Sequence, residues 1–61
     1  MKNLISKVTE NKVGRFFIIE KQDGTQYRAD ACNEAEFNEM SNMTINDWTY
    51  FLRTDMSYTK L

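Results

Sequence analysis

The sequence predicts an α+β fold: a three-stranded antiparallel β-meander over residues 1–31, followed by two short helices within residues 33–54 that pack on the sheet. Three observations carry that expectation. The stretch FFIIEKQDGTQY, Phe16 to Tyr27, runs from four apolar residues through an Asp-Gly turn into polar residues, which is the pattern of a hairpin. Two helix-start signatures follow, at Asn33 and Thr44. An apolar stripe at helical spacing then crosses residues 45–56.

In chain order, Lys2 to Thr9 alternates and is expected to form the first strand, with Glu10-Asn11-Lys12 as its turn. Val13 to Lys21 is rich in β-branched and aromatic residues and reads as the central strand. Asp23-Gly24 suits a two-residue type I′ turn, whose central positions both need positive φ. Thr25 to Ala31 then returns antiparallel. A two-residue loop at 23–24 pairs Ile18 with Ala29 and Phe16 with Ala31, so Phe16, Ile18 and Tyr27 should share the face that receives a helix. Arg15, Phe17, Ile19 and Arg28 then fall on the opposite face.

Asn33 followed by Glu36 has the form of a capping box, and Glu34 and Glu36 suit the positive end of a helix dipole. The first helix is expected over Glu34 to Met40, with Phe37 and Met40 as its apolar stripe. Thr44 and Asp47 repeat the cap ahead of a second helix at Ile45 to Arg53. There, Ile45, Trp48, Phe51, Leu52 and Met56 fall within an arc of about 140°, leaving Tyr50 opposite. The tail, residues 57–61, frays or adds a short edge strand.

Sixty-one residues make one small domain. A chain of this size buries only about 60% of its unfolded surface, which fits a marginal monomer or a homodimer. Cys32 is the single cysteine and has no partner for an internal disulfide. No signal peptide is visible, and the longest wholly apolar run, Phe16 to Ile19, is far short of the ~18 residues a membrane span needs. Cytoplasmic location without a membrane partner is therefore expected. The net charge of −1 hides an asymmetry, for residues 1–29 carry net +3 and residues 30–61 net −4.

The chemistry available is narrow. Histidine is absent, which removes the commonest general base and metal ligand. One cysteine cannot build a structural zinc site, and two glycines cannot supply a phosphate-binding loop of the P-loop or dinucleotide type. Glu36 and Glu39 share a helical face but read as solvated. The expectation is a non-enzymatic chain with no catalytic residues, metal or cofactor.

A strand with apolar groups on both faces in so small a protein points to binding. The expected protein-binding residues are Arg15, Phe17, Ile19 and Arg28 on the second sheet face, with Glu36, Glu39 and Tyr50 as a lesser patch. Substituting Phe17→Asp or Arg28→Glu should then abolish binding without unfolding the domain. The alternative is single-stranded nucleic acid on the same face, by stacking on aromatics beside Arg15, Lys21 and Arg28.

The stretch GRFFIIEKQDGTQYRA, Gly14 to Ala29, resembles an F-x-I-x-K-x-D-G-T hairpin common in very small phage-encoded proteins, often within SH3-like sheets. Phe16 or Phe17, Ile19, Lys21, Asp23, Gly24 and Thr25 carry the likeness, which covers about a quarter of the chain. The acidic segment and the Trp48 helix depart from an all-β pattern. The resemblance implies an accessory protein, such as an inhibitor, that binds and modulates a larger host protein. No functional residues carry over with it.

Overall fold

The computed structural model describes residues 4–55 and 57–61. Strands β1 (Ile5–Asn11), β2 (Phe16–Lys21) and β3 (Gln26–Asp30) are followed by helices α1 (Glu34–Ser41) and α2 (Ile45–Thr54), and then by β4 (Tyr58–Lys60). The sheet is antiparallel in the order β1-β2-β3-β4. The fold is thus α+β as expected, but with four strands in place of three. Lys2 and Asn3 of the expected first strand, and Met56 of the helical stripe, lie outside the described residues.

The β2–β3 hairpin departs from the expected register by one residue. Gly24 donates to the Lys21 carbonyl at 3.0 Å, and Lys21 donates to the Thr25 carbonyl at 2.8 Å. Gln22, Asp23 and Gly24 therefore form a three-residue loop, with Gly24 at φ +90°. This is a type I turn closed by a left-handed residue, and glycine adopts that conformation without strain. Asp23 Oδ1 accepts from the Thr25 N–H at 2.9 Å. Hydrogen bonds from Thr25 to the charged form hold the Asp23 carboxyl below its ordinary range. That anchor is complete above the ordinary carboxyl pKa and is lost as pH falls through the lowered one.

Because strand side chains alternate, a shift of one residue exchanges the two faces of β2 relative to β3. Phe17 lies opposite Ala29, and Ile19 opposite Tyr27. The expected assignment of Phe17 and Ile19 to an outer face is corrected: they are 2% and 0% exposed, the two most buried large side chains of the described chain. Phe16 and Ile18 take the outer face instead. On β1, a bulge between Ile5 and Lys7 inserts Ser6 as an unpaired residue. Ile5 and Val8, which a regular strand would turn to opposite faces, thereby both reach the core side.

The helices lie where local signals put them. Asn33 Oδ1 accepts from the Glu36 N–H at 2.8 Å, while Glu36 Oε1 accepts from the Cys32 N–H, one residue before the position a standard capping box would use. At α2 the box is complete, with Thr44 and Asp47 bonding each other's backbone N–H. Both helices pack on the Phe17 face. The Phe17 ring stacks on Phe37 at 4.8 Å and meets Trp48 at 5.2 Å, which places one side chain at the junction of β2, α1 and α2. Strand β4 is fastened by Tyr58, whose hydroxyl donates to the Leu52 carbonyl at 2.6 Å and whose ring sits edge-on to Tyr27. No described helix is long and apolar enough to cross a membrane.

This architecture reverses the expected behaviour of Phe17→Asp, which should unfold the domain. Phe17→Ala should cost about 3–5 kcal/mol, a large part of the roughly 3–9 kcal/mol available to a chain of this length. Ile18→Ala, on the outer face, should cost about 1 kcal/mol. Urea titration followed by Trp48 fluorescence measures both. Equal losses for the two variants would contradict the face assignment.

Candidate functional site

The sheet is covered on one side only. Register places Lys7, Thr9 and Asn11 of β1, Phe16, Ile18 and Glu20 of β2, Gln26, Arg28 and Asp30 of β3, and Thr59 of β4 on the face away from the helices. Neither helix packs over that face, and the β1–β2 turn touches it at one end, where Gly14 lies against the Phe16 ring. Phe16 and Ile18 at its centre are half-buried by their neighbours alone.

Arg28 is the most constrained polar group there. Its guanidinium lies 4.0 Å from the centroid of the Phe16 ring. It also donates to Asp30 Oδ1 through Nη2 at 3.0 Å and Nε at 3.2 Å. The two contacts hold the guanidinium over an aromatic face and against a carboxylate at once, a use that suits arginine better than lysine. On the β1 side, Lys7 pairs with Glu20 at 3.9 Å. The charged residues of the face are therefore two cations and two anions, each cation beside an anion. Exposed pairs of this kind are worth about 0–1 kcal/mol, so their main effect is to fix where side chains lie.

The sequence-predicted site residues divide into three groups. Arg28 lies on the open face, joined there by Phe16 and Ile18, which sequence reasoning placed in the core. Phe17 and Ile19 are core. Arg15 stands apart in the β1–β2 connection at φ 55°, its carbonyl accepting from the Ala31 N–H, and it lines a concavity with Lys12, Glu34, Phe37 and Asn38. Glu36, Glu39 and Tyr50 sit on the helical side, along neighbouring concavities. A single signal would have exposed the error at the hairpin: glycine as the third of three loop residues is as characteristic of the bulged hairpin as Asp-Gly is of the two-residue turn.

Cys32 is exposed at the sheet-to-helix junction. A helix start can lower a thiol pKa, but here the Glu36 side chain raises it, first by hydrogen bonding to the neutral thiol and then by charge repulsion of the thiolate. Among the described residues, no three Cys, Asp or Glu side chains are grouped as a metal site. Comparison with protein-family models, curated proteins and solved structures finds no match to this chain.

Glu36→Gln keeps an acceptor for the Cys32 N–H and removes the charge. The rate of Cys32 alkylation by iodoacetamide, followed against pH, should shift to lower pH in this variant. An unmoved profile would mean that Glu36 does not control the thiol.

Proposed function

We propose that the chain is a small non-enzymatic protein-binding module, of the accessory or inhibitor kind, that acts by occupying a surface on a larger host protein through its open sheet face. The observation that carries this reading is the pair Phe16 and Ile18 on a sheet face that no helix covers, with Arg28 held beside them by the Phe16 ring and Asp30. An apolar centre with a polar rim is the usual anatomy of a protein interface. Arg28, stacked and ion-paired, is preordered, so less side-chain entropy is lost when a partner docks.

The same geometry argues against single-stranded nucleic acid as the partner. Arg28 covers one side of the Phe16 ring, where a base would stack, and its charge is opposed by Asp30. With Lys7 similarly beside Glu20, the face offers phosphate no net positive charge.

Tagged protein is incubated with lysate of the native host, with and without nuclease, and the bound fraction is read by mass spectrometry. One stoichiometric protein should survive nuclease treatment. Ile18→Glu and Arg28→Glu, checked for folding by circular dichroism, should reduce its recovery about tenfold or more, as expected for central interface residues. Recovery that disappears with nuclease would reassign the face to nucleic acid. Recovery indifferent to both substitutions would remove the open face from the interface.

A further inference from the structure

On the helical side of the molecule, two concavities of about 410 Å³ and 240 Å³ share Met43, Phe51 and Asp55 and so form one groove. We propose that this groove docks a basic segment of a partner protein that presents a bulky apolar side chain. The proposal rests on reading the chain as a protein-binding module, and it assigns a second surface to it, sharing only Asp30 with the open sheet face.

The floor is apolar and adaptable. Met40 is buried, and Met43 and Phe51 are half-buried, so an incoming side chain meets two thioethers and an aromatic edge. Unbranched methionines reshape at low cost and suit a site that must accept an anchor not made by this chain. Phe51 is held from behind by Trp48 and Tyr58, at 5.3 Å and 5.8 Å between ring centroids. The floor is therefore braced against the core.

Among the described residues that line the groove, those that carry charge are Asp30, Glu36, Glu39, Asp47 and Asp55, all acidic. Arg28 answers Asp30 from outside. Glu36, Glu39 and Asp47 make no ion pair with a described residue. Glu36 and Asp47 are fixed by backbone N–H groups of Cys32 and Thr44, so their charges are held in position without being neutralised. Tyr50, 69% exposed, stands at one mouth of the groove. Carboxylates around an apolar floor, Glu36 and Asp47 fixed among them, repel nucleic acid and acidic peptides and select a lysine- or arginine-rich segment with at least one large apolar residue.

The test uses the intact protein and a fluorescein-labelled peptide of alternating lysine pairs and leucines, followed by anisotropy. Two control peptides replace every lysine by glutamate or every leucine by serine. The lysine–leucine peptide should bind saturably, and Glu39→Lys or Tyr50→Ala should weaken it about tenfold, with further weakening as salt shortens the reach of the rim charges. Its methyl and amide shifts in NMR spectra should centre on Met40, Met43 and Phe51. Ile18→Glu should leave this binding unchanged, which separates failure of the groove from failure of the sheet-face reading. The proposal is overturned by absence of saturation, by equal binding of the serine peptide, or by shifts centred on Phe16 and Ile18.

Discussion

The placement of nearly every large side chain depends on the backbone conformation at Gly24. A left-handed residue at the third loop position closes the β2–β3 hairpin with Asp30 opposite Phe16, Ala29 opposite Phe17 and Tyr27 opposite Ile19. Removing one residue from that loop would turn Phe16 and Ile18 toward the helices and expose Phe17 and Ile19. The Phe17 ring would then leave its stack with Phe37 and its contact with Trp48, and neither helix would keep its main aromatic contact with the sheet. Asp23 reinforces the loop by accepting from Thr25, so the register is held by conformational preference and by a local hydrogen bond together.

From that register the rest of the packing follows by reach. Phe17 is the ring that both α1 and α2 contact, and a chain without a disulfide gathers its small core around it. The Ser6 bulge brings Ile5 round to the same side as Val8, so the first strand contributes two core groups from a segment whose alternation would supply one. Tyr58 then closes the far edge by bonding to the end of α2, giving a three-residue strand a tertiary anchor that pairing alone would not supply.

The parts legible in the sequence are those decided locally. Helix starts at Asn33 and Thr44 depend on side chains within four residues of the backbone groups they satisfy, and both helices begin where these residues predict. Of the α2 stripe, Trp48 is in the core with Phe51 and Leu52 against it, while Ile45, expected to share that stripe, is exposed at the start of the helix. Register was less legible because Asp-Gly closes hairpins of two lengths, and the choice between them is made by what each face can bury. Ala29 lies under the helices as expected, while its partner on β2 is Phe17 rather than Ile18. The fourth strand appeared in the sequence only as one of two outcomes for residues 57–61, because three residues carry almost no periodic signal. For the candidate site, the side of the sheet was not readable: Tyr50 is exposed and Arg28 half-buried on the open face, while Phe17 and Ile19 exchange places with Phe16 and Ile18.

A sheet with helices on one face has a consequence for the surface as well as the core. The helices bring their acidic residues with them, so carboxylates from residues 30–55 gather around α1 and α2. The exposed side of the sheet instead balances Lys7 with Glu20 and Arg28 with Asp30. The charge asymmetry visible along the sequence becomes an asymmetry between two sides of the molecule. Since charge complementarity governs which partners approach as well as how tightly they hold, a charge-balanced sheet face and an acidic groove would favour different kinds of ligand. A domain of 61 residues still has room for two surfaces of different chemistry, because each needs only one layer of secondary structure behind it.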